Sequence, residues 1–186
     1  MKRTMLSLAL LMGVLAAPAA AQMGGRITLE PYAGYGFFGN LPGGPGLEAA
    51  ITYGGRGGFQ LADQWAVFLN GQRSKPEARD ILGGQQQTVD NVSAGIEFSY
   101  VPRGGAEGML PILLEAGLGQ TRYQYSGALR GGNHNDLAVN LGIASALQLS
   151  PNFAIRYGAN DYISNYRGGD GIVNQVFVRV GAELRF

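Results

Sequence analysis

The sequence predicts an all-β fold, an eight-stranded antiparallel up-and-down barrel, and three observations lead there. After Gln22 apolar residues alternate with polar ones, and almost nowhere do they recur at the three-to-four spacing of a helix. Eight such runs follow one another, joined by links that alternate between short and long. Glycine supplies 31 of 186 residues, yet no collagen-like period accompanies it and 46% of residues are hydrophobic, so the excess belongs to a packed structure.

Residues 1–21 stand apart from this pattern. They read MKRTMLSLALLMGVLAAPAAA: Lys2 and Arg3, an apolar run from Met5 to Ala17, the helix breaker Pro18 and a small-residue end at Ala19, Ala20 and Ala21. That is the layout of a secretory signal peptide cleaved after Ala21, and the apolar run is shorter than the roughly 20 residues of a spanning helix. The barrel domain is then 22–186. Cleavage removes two of the 14 basic side chains and none of the 13 acidic ones, so the formal charge moves from +1 to −1. Such a balance, without any basic cluster, excludes nucleic acid as a partner. The chain has no cysteine, which excludes a disulfide scaffold and a lipid-modified thiol.

The strands fall at about 26–38, 48–61, 64–74, 88–101, 109–125, 135–149, 153–163 and 172–186. The last is the clearest: Ile172, Val176, Val178, Val180, Ala182, Leu184 and Phe186 share one face, while Gln175, Arg179, Gly181, Glu183 and Arg185 share the other. In the second, Ile51, Tyr53, Phe59 and Leu61 alternate with Thr52, Arg56 and Gln60; in the third, Trp65, Val67 and Leu69 alternate with Asn70 and Gln72. Links at 62–63, 102–108 and 150–152 are short to moderate, whereas those at 39–47, 75–87, 126–134 and 164–171 are longer. Short links at one end and long ones at the other suit a barrel that crosses an outer membrane with tight periplasmic turns and longer outer loops.

Which face is apolar decides between that barrel and a soluble lipocalin-like calyx, which keeps its apolar side inside. The polar face carries Glu30, Arg56, Glu97, Glu115, Arg156, Arg179, Glu183 and Arg185, four acids against four bases. Inside a small lumen these can pair; facing hydrocarbon an arginine would cost about 2–4 kcal/mol at midplane. Glycines 34, 36, 54, 58, 95, 117, 119, 142, 158 and 181 on that face make room for the long side chains. The expectation is a transmembrane β-barrel with a lumen charge lattice. Tyr35, Phe37, Tyr53, Phe59, Trp65, Phe98, Tyr100, Phe153, Tyr157 and Phe186, mainly outward near strand ends, suit interfacial girdles.

With the first strand "ITLEPYAGYGFF", the glycine-rich middle and the last strand "NQVFVRVGAELRF", the chain resembles the bacterial outer-membrane β-barrel family that includes outer membrane proteins A and X. The resemblance covers nearly all of 22–186 and implies location in the bacterial cell outer membrane. It also implies that Val178, Val180, Leu184 and the terminal aromatic Phe186 form an assembly signal read by the barrel-assembly machinery, with Ala182 a weak match. Outer membrane protein A carries a peptidoglycan-binding domain after its barrel; the chain stops at Phe186, so that function is not expected here.

No catalytic, cofactor or metal residues are expected. The only histidine, His134, falls in the link between the fifth and sixth strands, where a solvated loop residue is the simpler reading. Three function classes remain. A structural or surface-interaction protein acting through its outer loops on an unknown extracellular partner comes first, with outer-membrane lipid as its surroundings. A narrow porin-like channel is the alternative. A lipid A-modifying enzyme built on Ser126, His134 and Asp136 comes third, beside the lipocalin-like binder.

Overall fold

The computed structural model describes residues 26–42, 46–78, 86–101, 110–125, 133–169 and 171–186. Among them the alternating runs form eight strands: β1 (Ile27–Phe38), β2 (Ala50–Ala62), β3 (Trp65–Ser74), β4 (Gln87–Tyr100), β5 (Ile112–Tyr125), β6 (His134–Ser150), β7 (Phe153–Tyr166) and β8 (Gly171–Arg185). Each pairs antiparallel with its neighbour in sequence, and β1 pairs with β8 to close the barrel. Closure removes the unpaired edges that an open sheet would expose. At the seam the terminal residue takes part, with Phe186 N donating to Ile27 O at 3.0 Å and Ile27 N to Phe186 O at 3.3 Å.

The pleat sends successive side chains to opposite faces, so parity along each strand sorts the lumen from the outer wall. Leu118, Leu137 and Ile172 are 64%, 71% and 75% exposed on the outside, whereas Glu115, Asn140 and Arg179 of the same strands are buried inside. An apolar exterior around a polar interior is the reverse of a calyx, and it overturns the lipocalin-like alternative. Inward glycines let neighbouring strands come close. A Cβ on Gly34 would lie 2.0 Å from Val178 O across the β1–β8 seam, while outward Gly71 would meet nothing within 4 Å.

Two connections are tight, at 63–64 and 151–152, and irregular pairing between Gln60 and Ala62 and between Gln148 and Ser150 bends the strands into them. Short turns mark the periplasmic end of an outer-membrane barrel. At the outer end β7 runs on to Tyr166, so the expected long link at 164–171 contracts. Arg167 and Gly168 take left-handed conformations there (φ 49° and 73°), and Gly168 N donates to Asn165 O at 3.1 Å. Parts of the links expected at 39–47 and 75–87 are not free loops either. Leu47 bridges Ala78, Glu48 N donates to Glu77 O at 2.9 Å, and Leu41, Leu47 and Ala78 are buried in the barrel mouth.

Candidate functional site

The lumen is filled in three tiers. In the periplasmic half, Arg156 on β7 reaches all four acids. Its Nε lies 3.3 Å from Glu30 Oε2, Nη1 lies 3.2 Å from Glu183 Oε2, and Nη2 donates to Glu115 Oε1 at 2.6 Å and also to Glu97. Arg56 Nη2 donates to Glu97 Oε2 at 2.6 Å, and Arg179 Nη2 donates to Glu115 Oε1 at 2.7 Å. Arg185, nearer the periplasmic end and partly exposed, donates from Nε to Glu183 Oε1 at 2.6 Å and from Nη1 to Gln148. All eight charged residues read from the sequence thus meet in one connected network. Buried charges are costly unless paired, and here each carboxylate has at least one guanidinium beside it, Glu30 through the Arg156 ion pair alone and without a hydrogen bond among the described residues. Below them a vestibule of about 280 Å³, lined in part by Arg26, Gln60, Gln64, Gln148, Arg156 and Arg185, opens at the periplasmic end.

The middle tier is uncharged. Tyr32 OH donates to Asn70 Oδ1 at 2.8 Å, and Asn70 Nδ2 donates to Tyr162 OH at 2.8 Å. Asn140 Nδ2 donates to Ser93 Oγ at 3.2 Å, and Asn160 Nδ2 to Asn140 Oδ1 at 3.2 Å. Toward the outer end Thr121 Oγ1 donates to Asn91 Oδ1 at 2.5 Å, and Gln175 Nε2 to Tyr123 OH at 2.5 Å. Such a network rigidifies an interior when its members are satisfied.

The outer tier is apolar: Leu41, Leu47, Val89, Tyr123, Tyr166 and Val173 cluster with Phe38 packed against them. His134 belongs to this cap. It opens β6 rather than lying in a solvated loop, its ring stacked on Tyr123 at 4.8 Å between centroids and edge-on to Tyr166 at 4.8 Å. Asp136 Oδ2 lies 3.3 Å from His134 Nε2, and its Oδ1 accepts from Arg167 N at 3.0 Å. The pair therefore sits inside a packed mouth. Ser126, the third residue of the lipid A-modifying alternative, lies outside the described residues, as does the cleavage site after Ala21.

Sequence reading missed the inward aromatics. Tyr32, Phe68, Tyr123, Tyr162, Tyr166 and Phe177 are buried, and the guanidinium of Arg56 lies 4.6 Å from the Phe68 ring centre, that of Arg179 5.1 Å from Tyr32. A signal for them was present. Tyr32 has the parity of Glu30, Tyr162 and Tyr166 that of Arg156, and Phe177 that of Arg179. The outward aromatics are placed as expected, with Tyr35, Phe37, Tyr53, Trp65, Tyr100 and Tyr157 exposed near strand ends.

A sequence model of a known family, the outer membrane protein beta-barrel domain, matches residues 6–186. The chain belongs to this family. Solved structures agree on the fold. The N-terminal β-barrel domain of OprF from Pseudomonas aeruginosa is 15% identical over 87% of this chain and 97% of its own, with a TM-score of 0.59. Neisserial surface protein A is 12% identical over 88% and 97%, with a TM-score of 0.60. Ail, the attachment invasion locus protein of Yersinia pestis, is 15% identical over 87% and 98%, with a TM-score of 0.53. No curated protein sequence matches the chain.

As a member of the outer membrane protein beta-barrel domain family, the protein resides in the bacterial outer membrane with lipid around its apolar wall. Val178, Val180, Leu184 and Phe186, named above from the resemblance, all lie exposed on that wall. Their strand lies at the closing seam, where Tyr35 faces Val178, Ala33 faces Val180 and Leu29 faces Leu184.

Proposed function

We propose that this barrel is a membrane anchor for a surface-interaction role carried by its extracellular connections, and that it neither conducts nor catalyses. The observation that carries this reading is the occupied lumen: an ionic tier, a hydrogen-bonded tier and an apolar cap succeed one another along it, which supports a role outside the interior. Planar-bilayer recording tests it, with no discrete openings expected from the folded protein. Stable unitary currents would favour the second reading, a narrow porin-like channel, for which the periplasm-facing vestibule speaks. Catalysis through His134 is tested by lipid mass spectrometry on membranes with and without His134→Ala, and no difference is expected.

The same reading includes export and assembly. The signal peptide is cleaved after Ala21, which the N-terminal sequence of protein purified from membranes checks. Val178, Val180, Leu184 and Phe186 serve the barrel-assembly machinery, so deleting Phe186 lowers the yield of heat-modifiable barrel in cells while refolding in detergent proceeds.

A further inference from the structure

On the outer wall of β3–β6, near the outer strand ends, one polar row interrupts the apolar surface. Successive register pairs join Arg73 to Asp90, Asp90 to Arg122 and Arg122 to Asn135. Beneath it Val92, Leu118 and Leu137 are exposed and apolar. Asp90 is the only acid of that row, and it is fully engaged. Its Oδ1 accepts from Arg73 Nε at 2.6 Å, and its Oδ2 accepts from Arg73 Nη2 at 2.9 Å and Gln124 Nε2 at 3.0 Å. Arg122 therefore makes no ion pair among the described residues, although Asp90 is its direct cross-strand partner.

The guanidinium of Arg122 lies in an open external cleft of about 830 Å³ that it lines together with the Arg73–Asp90 ion pair, Gln120, Asn135 and Gly71, so that the charged lining is two cations against one acid. Gln120 and Asn135 bring amide donors to the same place. Gly71 leaves the floor bare, since a Cβ there would meet nothing within 4 Å. A cation at the rim of an apolar wall, flanked by neutral donors and set above a smooth floor, matches an amphiphile with an anionic head. Guanidinium binds phosphate oxygens bidentately, which a lone water-facing arginine does not exploit.

We infer that this cleft binds the phosphorylated headgroup of an outer-leaflet lipid. Arg122 supplies the charge, Gln120 and Asn135 donate to phosphate oxygens or adjoining hydroxyls, and an acyl chain descends over Gly71, Val92 and Leu137. This assignment rests on the membrane location and the strand orientation, and it is independent of the role of the loops.

The test is native mass spectrometry of the full barrel released from micelles holding equal amounts of phosphatidic acid and phosphatidylcholine with the same acyl chains. The wild type retains phosphatidic acid preferentially. Arg122→Gln lowers that preference about fivefold, the increment of one arginine near an anionic surface. Asp90→Asn raises it, because Arg73 is released from its carboxylate; a misfolded variant would not give a gain. Equal retention of the two lipids by the wild type, or an unchanged preference in Arg122→Gln, would overturn the inference. Complete displacement of the phosphatidic acid by inorganic phosphate would overturn it too, by showing a site for free phosphate.

Discussion

Glu97 on β4 and Glu115 on β5 face each other as direct cross-strand partners, and Nη2 of Arg156 touches both carboxylates. Like charges directly opposite destabilise a sheet, so this pair is tolerable only with a cation between them. Arg156 comes from β7, two strands round the ring from β5, and its side chain is 2% exposed. The network is therefore organised around one residue.

Replacing that residue should be costly. Arg156→Met leaves Glu30, Glu97, Glu115 and Glu183 buried with fewer cations, and the loss is about 3–5 kcal/mol, as for breaking a buried ion pair. Arg185→Met, whose guanidinium is partly exposed and serves Glu183 among the acids, should cost within about 1 kcal/mol. Urea unfolding in phospholipid vesicles, followed by the fluorescence of the sole tryptophan, Trp65, measures both. Equal stability of the two variants would show that Arg156 is not the hub.

Two glycines separate close approach from open space. Gly34→Ala puts a methyl group against Val178 O at the seam, and should cost about 1–3 kcal/mol or more as the strands are forced apart. Gly71→Ala, pointing into open space on the outer wall, should stay within about 0.5 kcal/mol. Heat-modifiability on detergent gels ranks them, and the expected order is a lower unfolding temperature for Gly34→Ala alone.

The mouth should loosen independently of the wall. Leu47→Ala empties part of the apolar cap, locally worth about 2–5 kcal/mol. Hydrogen exchange in micelles should show the Glu48 amide, which bonds Glu77 O at 2.9 Å, losing protection. Amides of the wall, such as Gly95 opposite Gly117, keep theirs. Loss of protection throughout the barrel would mean that cap and wall unfold together.

Charge placed on the outer wall reports depth. Leu118→Arg, at an apolar mid-strand position, should destabilise by about 2–4 kcal/mol in vesicles, and Gln124→Arg near the strand end by about 0–1 kcal/mol. Equal costs would place both side chains at the same depth.

Much of the barrel was legible because a pleated strand has a strict period of two. That period assigned Val176, Val178 and Val180 to lipid and Arg179 and Glu183 to the lumen from a single strand, and it brought the eight charges into one interior. Strand ends were less legible, since β7 continues past 163 to Tyr166 through a stretch whose one outward residue, Asn165, is polar. The loop assignment of His134 missed for a different reason. Its environment is made by Tyr123 and Tyr166 from two other strands, which are non-local contacts without local pattern. The same applies to Leu41 and Leu47, whose burial depends on where the β1–β2 connection lands.

The partners of Arg156 lie on β1, β4, β5 and β8, so its own β7 is linked through one side chain to both the early and the late parts of the chain. Neutrality of the interior is thus a property of the finished ring. A seven-strand intermediate would lack Arg179, Glu183 and Arg185 together, leaving three acids against two bases, with Glu30 on an unsealed margin strand. Contacts of such long sequence separation form late and carry the largest loop-closure cost. Charge pairing in the interior is therefore complete only when the ring is closed. The electrostatics of the lumen thus favour the sealed ring over any open arrangement of the same strands.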